Sequence, residues 1–181
     1  MKVITISGEA QHGKDSLAGM LKKRIEATGN NVFVVHYADY LKFIASKYFG
    51  WDGQKDEKGR TILQKLGTEV VRDRYPDFWV DTVVHLIQAV CEKNAVVLIP
   101  DCRFPNEAEI MSDYFYTYTV KVVRTHFDNG LTKEQKQHPS ERAMDGFKFD
   151  LVIKAENGLN NLELQTDEAF EKIKTFIEEE D

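Results

Sequence analysis

The sequence predicts an α/β fold in which a parallel five-stranded sheet forms the middle of three layers, with helices on both faces. Three observations carry that expectation. Apolar, β-branched runs alternate along the chain with stretches of helical period. Residues 95–100 (AVVLIP) are apolar without interruption, as in a strand buried on both sides. A glycine-lysine turn at residues 8–16 (GEAQHGKDS) separates the first such run from the first helical stretch. Parallel strands need crossovers, and helices supply them.

Taken in order, residues 2–7 (KVITIS) read as the first strand, stopped by Gly8. Leu17, Met20, Leu21 and Ile25 then recur at helical spacing, with Gly29 as a stop. Residues 31–37 (NVFVVHY) form the second strand, and Asp39 is placed to cap a helix carrying Leu41, Ile44 and Tyr48. Residues 50–59 are polar and glycine-punctuated, hence a loop. Two helices follow over 61–74 and 78–93, divided at Pro76, the second with Val80, Val83, Val84, Ile87, Val90 and Cys91 on one face. After the strand at 95–100, Pro105 opens a short helix. Residues 117–124 and 150–154 are the remaining strands, and the polar stretch 126–139 between them is expected to be an exposed excursion. Asn157-Gly158 makes a turn before a last helix that buries Phe170, Ile173 and Ile177 and ends in a solvated acidic tail.

Length and composition bound the function. A chain of 181 residues with 42% apolar and 30% charged residues has material for one compact domain over 1–181. No apolar run reaches the roughly 20 residues of a membrane span, and residues 1–10 do not read as a secretory signal. A net charge of −6 argues against a protein that holds duplex nucleic acid by neutralising phosphates. Cys91 and Cys102 make neither a disulfide framework nor a zinc spacing, so a cytoplasmic setting is expected.

The turn at 8–16 carries the first chemistry. Gly8, four residues, then Gly13 and Lys14, set between strand and helix, is the pattern of a phosphate-binding loop. Glycines let backbone amides converge on a polyanion, and the helix that follows presents its positive end. Gly8, Gln11, His12, Gly13, Lys14, Asp15 and Ser16 are therefore the expected donor-nucleotide contacts. His12 is read as a solvent-facing spacer that lends only its backbone. In the general motif a hydroxyl residue follows the lysine and ligates Mg²⁺; here Asp15 stands there and Ser16 comes next. Either residue can serve the metal.

The strand at 95–100 ends in DCRFPNE, where Asp101 is placed to hold Mg²⁺ or its waters and Arg103 to clamp a phosphate. The plainer alternative is that this pair bonds to itself or caps the helix at Pro105. Asp39 and Lys42, after the second strand, can meet an acceptor, as can Arg60 and Arg72 on the helix at 61–74. Trp79 can stack on a base or sit as an ordinary core aromatic. The excursion after the fourth strand, with its lysines and Arg142, suits a lid over phosphates.

With these pieces assembled, the chain resembles the phage-type deoxynucleoside monophosphate kinases, of the P-loop nucleoside monophosphate kinase superfamily. The resemblance rests on SGEAQHGKDS, YADYLK at 37–42, LQKLGTEVVRDRYPDFWVD at 63–81, IPDCRFPNEAE at 99–109, HPSE at 138–141 and DLVIKAENGLNNL at 150–162. It implies a P-loop kinase fold with a small lid at about 125–142 and an acceptor-binding helical region at about 38–80. It implies ATP as phosphoryl donor, Mg²⁺ as cofactor and a deoxynucleoside monophosphate (dNMP) as acceptor, giving ADP and dNDP. Lys42, Arg72, Trp79 and Arg103 are then acceptor-side residues, with Lys14, Arg103 and Arg142 as the catalytic cations. Arg124, Asn157 and Gly158 would line the adenine pocket, and a homodimer is a reasonable assembly. A P-loop kinase of another acceptor (phosphomevalonate-like or dephospho-CoA-like) and a non-catalytic nucleotide switch remain as alternatives.

Overall fold

In the computed structural model, which describes residues 1–156 and 159–179 (backbone only at 159 and 160), five parallel strands form one sheet. They are β1 (Lys2–Ser7), β2 (Val32–Val34), β3 (Val96–Cys102), β4 (Tyr116–Arg124) and β5 (Leu151–Ala155), ordered β2-β3-β1-β4-β5. The helices packed on the sheet are α1 (Lys14–Ala27), α4 (Phe78–Val90) and α5 (Pro105–Tyr114), which lie in crossovers, and α8 (Leu159–Glu178), which follows the last strand. Alternation along each strand sorts the apolar side chains into two cores. Ile4, Ile6, Val96, Leu98, Val120 and Val122 meet Leu17, Leu21 and Ile25 of α1 and Ile173 of α8 on one face. Val3, Val97 and Ile99 meet Val80, Val83, Val84 and Ile87 of α4 and Met111 of α5 on the other. Each fully buried aliphatic side chain contributes roughly 1.5–3 kcal/mol of transfer free energy.

A third, smaller core holds Ala45, Trp51 and Leu66 against Leu41, Ile44 and Ile62. It belongs to α2 (Ala38–Tyr48), α3 (Glu57–Gln64) and a π-helical stretch Lys65–Arg72 that continues α3. Here the structure departs from the sequence reading. The loop expected over 50–59 closes earlier, because Asp56 caps α3 by accepting from the Gly59 amide at 2.7 Å. The helix expected over 61–74 changes register after Gln64, and the Asp73 amide reaches back five residues to the Thr68 carbonyl at 3.0 Å. Trp79 Nε1 donates to the Gly67 carbonyl at 2.9 Å, and Gly67 lies so close to α2 that a Cβ would meet Leu41 at 2.8 Å. Those tertiary contacts override the local α-helical preference.

Three further expectations are corrected. Strand β2 is only three residues long and ends before His36. Asp39 is not the cap of α2: it sits inside the first turn, paired with Lys42 at 2.9 Å and His36 at 3.3 Å. The stretch 126–139 is not simply exposed. Asn129, Leu131 and Gln135 are buried, and the short helices α6 (Lys133–Gln137) and α7 (Pro139–Arg142) give it structure.

Candidate active site

The carboxyl ends of β1, β3 and β4 lie side by side, which is where an open α/β sheet gathers ligands. The loop 8–16 leaves β1 there. Gly8 runs so close to β4 that a Cβ would come within 2.4 Å of the Val122 carbonyl oxygen, at a φ of 149° that side chains rarely tolerate. Gly13, with φ 88°, turns the chain into α1, whose first amides face back over the loop. Lys14 is buried and donates to the carbonyls of Gly8 (2.9 Å) and Glu9 (2.7 Å). Burial and the nearby Arg103 guanidinium lower its pKa to about 7, against the opposing pull of Glu141, Asp15 and Asp101. An ammonium so poorly compensated gains strongly from an arriving polyanion.

His12 is not a solvent-facing spacer. Its ring is buried, its Nδ1 accepts from the Arg124 amide at 3.3 Å, and it packs edge-on against Phe127. Burial lowers its pKa, so it serves as a neutral strut between the loop and the end of β4. Arg124 lays its guanidinium over the Phe127 ring at 3.6 Å and donates to the Gln11 carbonyl at 3.3 Å. Both thus lie on the outer flank of the loop. Asn157 and Gly158 lie outside the described residues.

The end of β3 supplies the next groups. Pro100 cannot donate a ladder hydrogen bond, and the pairing of β1 with β3 slips there, from Thr5↔Ile99 to Ser7↔Cys102. Asp101, in the slip, accepts from the amides of Tyr37 and Ala38, each at 3.0 Å. It therefore caps α2 across the sheet, neither pairing with Arg103 nor capping α5. Arg103 instead turns to α7, donating to Glu141 Oε1 at 2.7 Å and to the Ser140 carbonyl at 3.3 Å. The other Glu141 oxygen accepts from the Ala10 amide of the phosphate loop at 3.0 Å.

Arg72 reaches the same cleft from the π-helical stretch. Its guanidinium stacks on Phe104 at 3.8 Å, donates to the carbonyl of Pro76 and to Asn106 Oδ1 at 3.1 Å each, and pairs with Glu107. Glu107 is buried at 2% exposure and also accepts from the amides of Arg103 (2.6 Å) and Phe104 (3.1 Å). Burial pushes its pKa up to about 7, with Arg72 the principal counterweight. One carboxylate thus holds two guanidinium-bearing segments in place. Trp79 is a core aromatic, 3% exposed, whose edge walls the cleft.

These groups enclose a cleft of about 360 Å³ that contains Lys14, Asp15, Lys42, Arg60, Arg72, Trp79, Asp101 and Arg103 in its lining. Asp39 stands behind Lys42 rather than in the wall, and Ser16 is exposed beside Asp15. Arg142 is exposed, paired with Asp145 at 2.7 Å, and does not line the cleft. Asp15 accepts from His36 at 3.1 Å, which keeps the carboxylate ionised and raises the His36 pKa. Asp15, Ser16 and Asp101 offer oxygen donors only, and among the described residues no group of three His, Cys, Asp or Glu gathers as a metal cluster. That set fits a hard cation that takes most of its ligands from phosphates and water. Sequence reasoning missed Glu107, Glu141 and His36. Glu107 lies at a capping-box spacing, but Phe104 stands where the motif expects a hydroxyl or carboxylate.

Residues 35–166 match the model of the family described as deoxynucleotide monophosphate kinase. No curated protein matches the chain. Among solved structures, the APS kinase of Mycobacterium tuberculosis in complex with AMPPNP and APS is similar, with 12% identity, 98% of each chain covered and a TM-score of 0.53. The dephospho-CoA kinase of Campylobacter jejuni covers 95% of this chain and 97% of its own at 13% identity and a TM-score of 0.52. At such identities the likeness concerns the fold, which these kinases share with this chain. Among the described residues no helix is long and apolar enough to cross a membrane.

Proposed function

The chain belongs to the deoxynucleotide monophosphate kinase family, and from that membership we propose that its cleft seats ATP on the loop 8–16 and a deoxynucleoside monophosphate beside Arg72 and Arg103. It is a phosphotransferase, moving a phosphoryl group from donor to acceptor nucleotide. The supporting observation is the convergence of Lys14, Arg72 and Arg103 on one cleft that Ala10, Gln11 and Asp15 of the loop also line.

The acceptor phosphate is already anionic at neutral pH, so the transfer requires no general base. What it requires is in-line placement of two polyanions and cations around the group in flight. Gly8, Gly13 and the first turn of α1 give amides to the donor phosphates, and Lys14 leaves its carbonyl partners for their oxygens. Gln11, Arg124 and Phe127 flank the loop on the side open to the donor's adenine. Arg72 and Lys42 hold the acceptor phosphate, Trp79 and Leu41 bound its nucleoside, and Arg103 stands between donor and acceptor. Mg²⁺, held by Asp15, Ser16 or Asp101 directly or through water, would neutralise the phosphate charge. Arg142 reaches the reacting groups only through movement of the segment 125–142, which acts as the lid that keeps water out.

The test is an ADP-release assay with ATP, Mg²⁺ and each dNMP and NMP in turn. Turnover with dNMPs is expected. Turnover only with a non-nucleotide acceptor, or none with any, would overturn the assignment.

A further inference from the structure

Glu141 is the one lid carboxylate built into the phosphate loop. Its side chain is 9% exposed, although it stands on a four-residue surface helix. One oxygen takes the Ala10 amide at 3.0 Å, and the other takes Arg103 at 2.7 Å. Lys14 lies close enough for Glu141 to raise its pKa. A loop amide and a guanidinium hold this carboxylate, with the Lys14 ammonium in the field around it, and the carboxylate thereby uses partners a phosphoryl group would need. The lid also touches the acceptor half, where Gln135 Nε2 approaches the Glu57 carbonyl at 3.5 Å. Glu141 is the side chain that meets the loop amide and Arg103 together, beside the contact of Arg103 with the Ser140 carbonyl.

We propose that Glu141 is a displaceable occupant of the transferring phosphoryl group's position: it holds Arg103 and the loop together, and gives both up when the donor's terminal phosphate arrives. The proposal rests on the donor assignment made above for the loop. Displacement makes phosphate affinity lower than the pocket's intrinsic affinity, by the fraction of molecules in which Glu141 is out. It also means that Arg103 is released toward the reacting group only once a phosphate has taken its partner's place. Glu141 is thus a positioning residue acting through Arg103 and the Ala10 amide.

Removing its charge tests this. Glu141→Gln and Glu141→Ala, with Glu134→Gln as an exposed lid control, are titrated with a non-hydrolysable ATP analogue and with inorganic tripolyphosphate, which lacks the adenosine. Both Glu141 variants should bind both probes at least about fivefold tighter than the unaltered chain. Glu134→Gln should leave them unchanged. The donor KM should fall in parallel while the acceptor KM stays within about twofold. Unchanged or weaker binding of tripolyphosphate by folded variants, checked by thermal melting, would overturn the displacement and leave the donor assignment standing. An unaltered chain that binds neither probe would overturn both.

Discussion

The two halves of the cleft, donor and acceptor as proposed above, are built by opposite means. The donor half is a run of nine residues, 8–16, whose recognition elements are main-chain amides fixed by Gly8 and Gly13. The acceptor half is assembled from stretches far apart in the chain: Lys42 on α2, Arg72 on the π-helical stretch, and Arg103 and Glu107 after β3, with Glu141 of α7 at its border with the loop. There the recognition elements are side chains, each already engaged by a carboxylate, largely buried for Arg72 and Arg103 and exposed for Lys42. Arg72 has Glu107, Arg103 has Glu141 and Lys42 has Asp39. A backbone cradle needs little more than its turn; a side-chain cradle needs a scaffold of counter-charges to hold extended cations in position.

Predictions that break the halves separately sharpen that contrast. The largest effect is expected from Lys14→Ala, which removes the ammonium proposed to meet the donor phosphates, a charge that no backbone amide can replace. Turnover should fall by about a hundredfold or more while the melting profile survives, since no core contact is lost. Unchanged turnover would dismiss the role given to Lys14.

Arg72→Ala should strike the acceptor half in two ways. The acceptor KM should rise about tenfold or more with the donor KM little changed. Because Arg72 and Glu107 are buried at 11% and 3% side-chain exposure, the variant also leaves a carboxylate without its partner, costing up to about 3–5 kcal/mol of stability. With a pKa already pushed to about 7, Glu107 can relieve part of that cost by taking up a proton. The loss seen by thermal unfolding should therefore be smaller at pH 6 than at pH 8. A stability loss equal at both would deny Glu107 this part.

The smallest effect is a pH dependence confined to the donor half. Lys14 has a pKa lowered to about 7. Bound phosphates favour the ammonium and raise that pKa, so binding takes up a proton above pH 7. Donor affinity should decline as pH rises from about 7 to 9, by at most about tenfold per unit. Calorimetry in buffers of different ionisation enthalpy reads the proton uptake directly. No uptake at pH 8 would place the ammonium's pKa well above 8 in the unliganded chain.

The same contrast explains what the sequence disclosed. The loop 8–16 was legible because its spacing is local and its glycines are required by geometry, at Gly8 by the Val122 carbonyl itself. The sheet was legible because parallel strands buried on both faces are written as apolar runs. The pairing of Arg72 with Glu107, 35 residues apart, and of Arg103 with Glu141, 38 apart, leaves no local pattern. His12 escapes a local reading for a related reason: only the closeness of β4 and Phe127 makes it an interior residue. The π-helical register likewise depends on Trp79 and Leu41, which a window around Gly67 does not contain.

The carboxylate at the tip of β3 has a mechanical consequence. By gripping the amides of Tyr37 and Ala38, Asp101 bolts the start of α2 to the carboxyl end of β3. Residues 37–38 cannot then serve as a pivot. Movement of α3 relative to α2 would instead centre on Gly50 and Gly53, where positive φ angles of 67° and 91° already interrupt regular structure, and would have to loosen the third core that joins the two helices. The shoulder at the start of α2 stays fixed while that elbow yields.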